Sequence, residues 1–352
     1  VSAEHRDSFV REVAHDLEAV RQRRAEQTSA RRRVSIAAAR DNRLRLEFDK
    51  ITKVKPGIHV INQSVIDLRP FIDWTPFFHT WELRGRYPGI LEHPEMGEAA
   101  RSLFSQANEK LDWAERKHFL KPMAVVGFFP ANSVGDDIEI YTDETRSTLA
   151  ALLPTVRQQG AKSAAQPNLA LADFIAPKGT PDWIGGFCVT ASAGVDETAA
   201  QLRADGADME AILIQSLGDR LAEASAERLH WLVRTQLWGT NPGEAPDNAQ
   251  LIKGAYPGIR PAPGYPACPD HRSKQALFDL LGAESALGIP LTESRAISPA
   301  SSVSGWIFGH PEAKYFGVGK LERDQIEDLA ERTGESVQET ERWLSPNLGY
   351  AR

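Results

Sequence analysis

Apolar residues recur every three or four positions in several stretches of the chain, which is the spacing of one face of an α-helix. The first stretch predicts an amphipathic helix over residues 6–26, whose apolar face contains Phe9, Val13, Leu17 and Val20. The same spacing predicts further helices over residues 96–119, over residues 207–238 and near residues 273–284. Two helices are predicted to close the chain, and Ser336 and Glu339 have the spacing of a capping box for the last one.

Patterns typical of β-strands fall between these helices. The apolar run MAVVGFFPA is followed by alternation in DDIEIYTD, and LADFIAP and DWIGGFCVTA predict two further strands. VSGWIF and YFGVGKL flank the turn GHPEAK and predict a β-hairpin. Because the strands cluster between long helices instead of alternating with them, the order favours an α+β fold with a largely antiparallel sheet.

A basic stretch, TSARRRVSIAAARDNR, follows the first predicted helix. It has few apolar residues to bury and therefore predicts a linker, with the body of the protein starting near Lys53. Arg31, Arg32 and Arg33 are interpreted as solvated linker residues in preference to a site for an anionic ligand.

The distribution of charge argues against a nucleic-acid partner. Residues 1–50 hold 12 of the 41 basic and 9 of the 48 acidic residues, a formal charge of +3. The other 302 residues hold 29 basic and 39 acidic residues, a formal charge of −10. Proteins that bind nucleic acid present a basic face, which an acidic body does not offer.

The cysteines, the histidines and the apolar runs indicate the cellular compartment and argue against a zinc site and a membrane span. Cys188 and Cys268 are the two cysteines, and without a Cys-x-x-Cys pair they exclude a disulfide framework and fit a reducing compartment. The nine histidines lack His-x-x-x-His spacing, so no zinc site is predicted. No stretch reads as a signal peptide or reaches the length of a membrane span. We therefore expect a cytoplasmic protein without a membrane partner.

The stretch RPAPGYPACPD, residues 260–270, contains four prolines. Proline fixes its own φ and disfavours the helical region for the preceding residue, so the stretch predicts a rigid loop. Arg260 offers a bidentate donor for a carboxylate, Gly264 permits close approach, and Tyr265 offers a ring and a hydroxyl. These residues alone favour equally a ligand-binding loop and a structural loop whose arginine pairs with a neighbouring acid.

The loop RPAPGYPACPDH resembles the Arg-x-x-x-Gly-Tyr loop of the activation domain of cobalamin-dependent methionine synthase. Other stretches resemble that family in its order: IDWTPFFHTWELRGRYP, VVGFFPANSVGDDIEIY, LADFIAP, LGDRLAEASAERLH, LTES, SVSGWIF, KYFGVGK and ERWLSPNLGY. The resemblance covers roughly residues 60–350. Residues 1–50 resemble the last helix of the preceding cobalamin-binding domain and its linker. The resemblance therefore implies that the activation domain comprises residues 51–352.

The resemblance implies a single curved domain in which long helices flank a twisted, largely antiparallel sheet, preceded by an N-terminal helix and linker. It implies a reactivation module that binds S-adenosylmethionine and presents its methyl group for the reductive remethylation of oxidised cobalamin. The implied partners are the cobalamin-binding domain of the same polypeptide and a flavodoxin-like protein or flavoprotein reductase as electron donor. The chain lacks the Asp-x-His-x-x-Gly cobalamin motif and cysteine ligands for zinc, so this part of a methyltransferase is not expected to make methionine alone.

The resemblance also implies which residues bind the ligand. Arg260 is expected to bind the carboxylate of S-adenosylmethionine and Asp73 its ammonium group, although Asp73 is also placed to be a helix cap or a partner of Arg84. Tyr315 and Phe316 match a binding pair of the family on the predicted hairpin. Alternation along a strand puts them on opposite faces, so one is expected to contact the ligand by its side chain and the other by its backbone.

Asp219, Glu223 and Glu227 are four residues apart and form a carboxylate stripe along the predicted long helix. The resemblance implies that Glu223 lies beside the cationic ligand; a solvated face is the alternative. Asp219 is expected to pair with the histidine that the cobalamin-binding domain releases on docking, the alternative being that it faces solvent or pairs with an arginine. Cys268 is interpreted as a small loop residue and not as a nucleophile. Gly254 stands where an acidic residue is expected in some relatives.

Two other functions remain compatible with the sequence. One is a regulatory module that senses S-adenosylmethionine and docks without a role in methyl transfer. The other is a free-standing reactivator of a different corrinoid protein. The N-terminal helix and linker favour fusion to a cobalamin-binding domain over both.

Overall fold

The computed structural model describes Arg6, residues 9–18, Val20 and residues 32–48, 54–117, 120–191 and 194–351. The chain divides into two compact units. The terminal unit comprises Val1–Leu44, Arg157–Leu169 and Val318–Arg352, and the sheet unit comprises Arg45–Val156 and Ala170–Gly317. The domain boundary at residue 50 stays a prediction.

The sheet unit is built around an antiparallel sheet that has six strands in the described residues. They are β1 (Gly57–Asn62), β2 (Met123–Val134), β3 (Asp137–Tyr141), β4 (Leu149–Pro154), β5 (Asp182–Thr190) and β6 (Ser302–Ile307). The strand order is β4-β3-β2-β5-β6, and β1 pairs with β2 outside this path. Together with the helices below, this sheet confirms the predicted α+β fold.

Strand β2 organises the sheet because it pairs with three neighbours. One edge pairs with β5 from Met123 to Ala131, while the other pairs first with β1 and then with β3. Pro130 lies between the last residue paired with β1, Phe128, and the first residue paired with β3, Ala131. A proline cannot donate to a ladder, and here it falls where one partner strand ends and the next begins.

Helices make up much of the regular structure of both units. In chain order they are α1 (Ile36–Asp41), α2 (Val65–Leu68), α3 (Trp74–Thr80), α4 (Gly97–Lys117), α5 (Val195–Ala204), α6 (Asp208–Leu232), α7 (Asn248–Ile252), α8 (Ser273–Leu281), α9 (Ala283–Leu287), α10 (Arg323–Thr333) and α11 (Val337–Trp343). Short 3₁₀ turns lie at Arg69–Phe71, Gly89–Glu92, Leu171–Phe174 and Ser345–Asn347. No helix of the described ranges has the length and apolar character needed to cross a membrane.

Helix α6 joins the two hydrophobic clusters of the sheet unit. Its first half packs Leu217 and Leu221 against an aromatic cluster that includes Phe77 and Phe78. Its second half packs Leu229 against side chains of β2 and β5. Complete burial of a leucine side chain contributes about 1.5–3 kcal/mol, so this helix is fixed firmly on the sheet. The opposite side of α6 carries the carboxylate stripe and stays available for a site.

The terminal unit corrects the prediction of a linker. Ile36–Asp41 is a helix, α1, that buries Ile36 and begins at the cap Ser35. The main-chain N–H of Ile36 donates to Asp324 Oδ2 (2.7 Å). Arg33 pairs with Glu322, and Arg33 is therefore not a solvated residue. Low apolar content was misleading because ion pairs and a capped helix hold this stretch together with a small apolar face, Ile36 and Ala39.

Other terminal predictions had mixed outcomes. Residues 9–18 are helical as predicted, whereas Arg31 and residues 21–26 lie outside the described part of the chain. Ser336 caps α11 by accepting from the N–H of Glu339 (3.1 Å). The Glu339 carboxylate accepts from the Trp343 indole (2.7 Å), so the described contacts give one half of the predicted capping box.

Three predictions for the sheet unit were wrong in detail. LADFIAP is not a strand; Leu171–Phe174 forms a 3₁₀ turn. The predicted hairpin is also absent from the described residues, since VSGWIF forms β6 but YFGVGKL adopts no regular strand. The long helix ends at Leu232 and continues as a π-helical turn, Val233–Leu237. Strands β1 and β4 were not predicted.

Candidate functional site

The edge of β6 is occupied by the start of the proline-rich loop, which explains why no hairpin partner pairs there. The N–H of Trp306 donates to the carbonyl of Pro261 (3.0 Å), and the N–H groups of Ile259 and Phe308 donate to each other's carbonyls (3.1 and 2.9 Å). Gly305 permits this approach, because a Cβ at that position would lie 2.9 Å from the Pro261 carbonyl oxygen. Arg260 is thus anchored at the margin of the sheet.

The rest of the loop is held by its own backbone. The N–H of Gly264 donates to the Cys268 carbonyl (2.7 Å), and the N–H of Cys268 donates to the Tyr265 carbonyl (2.9 Å). Gly264 has φ +96°, and a Cβ there would lie 2.1 Å from the ring of His271. Both the conformation and the packing therefore require glycine at this position. Tyr265 is left exposed at the tip.

Arg260 faces an acid of the carboxylate stripe, Glu227. Its Nη2 donates to Glu227 Oε2, and the two side chains are 17% and 13% exposed. Burial by itself opposes the charge of Arg260, but the combined effect of Glu227, Tyr256 and Tyr315 outweighs it, so the pKa of Arg260 lies above its ordinary value. The main-chain N–H of Arg260 donates to the hydroxyl of Tyr315 (3.0 Å).

Three neighbouring cavities follow the stripe along α6. The central cavity, about 500 Å³, is lined in part by Phe187, Glu223, Arg260, Tyr265, Tyr315 and Phe316. The Asp73 cavity, about 490 Å³, is lined in part by Asp73, Glu223, Glu227, Tyr256, Arg260 and Tyr315. The Asp219 cavity, about 500 Å³, is lined in part by Asp219, Glu223, Tyr265, Lys274 and Ser304. Glu223 lines all three, so they form neighbouring compartments of one site.

Asp73 is a helix cap, which is one of the alternatives that the sequence left open, while its role in binding the ligand stays a prediction. It is the N-cap of α3, and its Oδ1 accepts from the N–H of Thr75 (3.0 Å). It also lines the same cavity as Arg260. A carboxylate that accepts one backbone N–H still has further lone pairs, so capping leaves Asp73 able to accept from a cation.

Tyr315 and Phe316 both line the central cavity, which corrects the prediction of opposite faces. The alternation rule does not apply because this segment is not a strand. Phe316 packs against Phe174 with ring centroids 6.2 Å apart, while Tyr315 holds the backbone of Arg260.

Asp219 lines a cavity, whereas Cys268 is buried in the loop and lines none of the three. Asp219 is exposed and accepts from the hydroxyl of Ser301 (2.7 Å), so it does not simply face solvent. Cys268 is buried, and burial raises the pKa of its thiol to about 12. A thiol that stays protonated at neutral pH is a poor nucleophile, in agreement with its interpretation as a loop residue. Gly254 lines the Asp73 cavity.

A buried polar network behind Arg260 was not foreseen from the sequence. Tyr256 lies with its hydroxyl 3.5 Å from Glu227 Oε2 and its ring 3.8 Å from the guanidinium of Arg234. Arg234 in turn pairs with Glu244, and His230 packs edge-on against Tyr256 with centroids 5.1 Å apart. The only sequence signal was the recurrence of polar residues at helical spacing past the stripe, at positions 227, 230 and 234.

The buried imidazole of His230 is expected to make the protein less stable in mildly acidic solution. Burial lowers the pKa of His230 well below 6.5, and the charges of Arg234 and Arg260 lower it further. Below pH 6.5 the unfolded chain takes up a proton that the folded chain does not, so the free energy of unfolding should fall by up to about 1.4 kcal/mol per pH unit. Denaturant titrations at several pH values below 6.5 give the free energy of unfolding of the wild type and of His230→Gln. The slope of this free energy against pH should be steeper for the wild type.

The matched control for this titration is His79→Gln, because His79 is exposed at the end of α3. We expect this variant to keep the wild-type slope. A wild type and a His230→Gln variant with the same slope would show that His230 does not contribute to acid sensitivity.

The chemistry available in these compartments is recognition of a polar, charged ligand with an apolar part. Arg260, Asp73 and the stripe supply charges of both signs, while Phe187, Tyr265 and Phe316 supply apolar faces. The described residues contain no cluster of three or more His, Cys, Asp or Glu side chains placed to hold a metal ion.

Comparison with known proteins identifies relatives of the chain. The family model for the activation domain of vitamin B12 dependent methionine synthase matches residues 64–334. The crystal structure of the MetH reactivation domain bound to AdoHcy is similar with a TM-score of 0.88 and 48% sequence identity. That match covers 91% of this chain and 99% of the solved one. The resemblance drawn from the sequence motifs is thereby confirmed.

Proposed function

The chain belongs to the activation-domain family of vitamin B12-dependent methionine synthase, and we propose that it binds S-adenosylmethionine and presents its methyl group for the reductive remethylation of oxidised cobalamin. The observation that carries the proposal is the convergence of Arg260, Glu223 and Tyr315 on two adjoining cavities beside Asp73. The AdoHcy bound to the related reactivation domain, a thioether version of the same ligand, supports this assignment.

Two of the three compartments are assigned to parts of the ligand. The α-carboxylate is assigned to Arg260 and the α-ammonium to Asp73, which face the same cavity. The adenine is assigned to the central cavity, which Tyr265 and Phe316 line, and Gly264 is assigned to the turn of the loop that precedes Tyr265. Glu223, at the junction of the compartments, is assigned to the cationic middle of the ligand, and Tyr315 to the wall beside it.

In this proposal the protein positions the reactants and provides no nucleophile. Cobalamin, held by an adjoining domain of the same polypeptide, supplies the nucleophile after reduction by a flavodoxin-like or flavoprotein donor. The rigid loop and Tyr315 hold the sulfonium in one orientation, which lowers the entropic part of the barrier. Asp219 lines the third cavity, to which no part of the ligand is assigned, and it is assigned to the histidine released when the cobalamin-binding domain docks.

A labelling experiment tests the proposal against a purely regulatory role. The chain is mixed with a cobalamin-loaded binding domain, a reductant and S-adenosylmethionine labelled on its methyl group. We expect label in the cobalamin fraction when all components are present and none without the binding domain. Asp219→Asn is expected to bind S-adenosylmethionine normally while transferring less label.

Two results would contradict methyl presentation. Ligand binding without any transfer under reducing conditions would favour the alternative, a module that senses S-adenosylmethionine and docks. Loss of the methyl group to water or to Cys268 in the chain alone would point to a different reaction.

A further inference from the structure

The two carboxylate oxygens of Glu227 have different surroundings. Oε2 accepts from Arg260 Nη2 and lies 3.5 Å from the hydroxyl of Tyr256. Oε1 is buried and has no hydrogen-bond partner among the described residues. The Nε of Arg260 is likewise buried, and it has no acceptor in the described part of the chain.

A second arginine–glutamate pair nearby is joined in a different way. Arg234 contacts Glu244 through two atoms, since Nε donates to Oε2 (2.7 Å) and Nη2 donates to Oε1. That fork uses both oxygens of the carboxylate. The pair of Arg260 and Glu227 is joined through one nitrogen, and among its buried atoms the donor Nε and the acceptor Oε1 have no partner in the described residues.

Unused charged groups in a half-buried site carry a cost that a ligand can remove. A buried polar atom without a partner costs about 1–3 kcal/mol, and more when the group is charged. The side chains of Glu227 and Arg260 both line the Asp73 cavity. One free donor beside one free acceptor is complementary to an α-amino acid, whose carboxylate accepts and whose ammonium group donates.

We propose that Glu227 is a specificity residue for the amino-acid end of the ligand: it orients Arg260 through Oε2 and offers Oε1 to the ammonium group, alongside Asp73. The hydroxyl of Tyr256 lies 3.5 Å from the same oxygen, Oε2, and helps to keep the carboxylate in place. This inference rests on the proposed binding of S-adenosylmethionine and assigns that site an acidic residue beyond Asp73 and Glu223.

Calorimetry with two probes isolates the amino-acid end. S-adenosylhomocysteine carries the adenosine, the sulfur and the amino acid, whereas 5′-methylthioadenosine carries the adenosine and sulfur alone. Glu227→Gln preserves the size of the side chain and removes its charge. We expect the variant to bind S-adenosylhomocysteine about ten- to a hundredfold more weakly, because it loses hydrogen bonds to a charged group. Its affinity for 5′-methylthioadenosine should not change.

Control variants separate a specific effect from a general one. Glu210→Gln, on the same helix but paired with Lys110 and remote from the three cavities, should bind both probes as the wild type does. Tyr256→Phe removes the hydroxyl near Glu227 and should weaken S-adenosylhomocysteine to a smaller extent, again without an effect on 5′-methylthioadenosine. Tyr256→Phe therefore tests the same inference if Glu227→Gln folds poorly.

The inference is overturned if Glu227→Gln binds S-adenosylhomocysteine as tightly as the wild type, or more tightly, since Glu227 would then be neutral or a competitor for Arg260. An equal loss for both probes would also overturn it and mark Glu227 as a structural residue. A wild-type chain that binds neither probe would instead refute the proposed function itself.

Discussion

Replacing Arg260 by alanine is expected to weaken the binding of S-adenosylmethionine by about 2–4 kcal/mol, because it removes a charge-assisted pair with the ligand carboxylate. The loss should be large because the Arg260 side chain is mostly buried, at 17% exposure, and the residue is held at its side chain and at its backbone. Glu227 holds its Nη2, and Tyr315 holds its backbone. Little entropy is therefore left to lose when the ligand binds. Isothermal titration calorimetry at constant ionic strength measures the change.

The variant needs a check on folding, because removal of Arg260 also leaves Glu227 without its ion-pair partner. Thermal unfolding should show a folded protein, and 5′-methylthioadenosine should still bind in the central cavity. Arg203→Ala, on α5 and outside the three cavities, removes the same charge elsewhere and should keep wild-type affinity. If folded Arg260→Ala binds S-adenosylmethionine as tightly as the wild type, Arg260 does not hold the carboxylate.

The sequence predicted the local parts of the site and not its pairings. The stripe on α6 follows from spacing alone, and the rigid loop follows from its prolines. Which of the three acids meets Arg260 depends on the register between a helix and a loop that starts 33 residues after Glu227. Propensity contains no information on that register, so Glu223 and Glu227 could not be told apart until both were placed beside the loop.

The incorrect hairpin has the same cause. VSGWIF and YFGVGKL alternate and flank a turn, so local rules favour their pairing. The edge of β6 is instead filled by Ile259–Pro261, a segment more than 40 residues earlier in the chain. Tertiary competition for one strand edge overrode the local preference, and it also placed Arg260 and Tyr315 within hydrogen-bonding distance.

The largest expected loss of stability comes from Arg234, at the far end of the network behind the site. Its side chain is 2% exposed, that of Glu244 is 12% exposed, and the two form a fork of two hydrogen bonds. Removing one partner of a buried ion pair leaves an uncompensated charge and costs about 3–5 kcal/mol. Arg234→Ala should therefore lower the free energy of unfolding by this amount in denaturant titrations.

A double variant distinguishes the stranded charge from the loss of packing. Arg234→Met combined with Glu244→Leu removes both charges and should recover much of the stability, because apolar replacements of a buried pair are often neutral. Lys178→Ala breaks a more exposed pair with Glu139, in which the lysine is 58% exposed, and should have a small effect. A double variant as unstable as Arg234→Ala would show that charge compensation is not what the pair contributes. The pair would then stabilise the protein through its contacts, such as the stacking of Arg234 on Tyr256. In that case Tyr256→Leu should reproduce a large part of the loss, because it removes the ring on which the guanidinium lies.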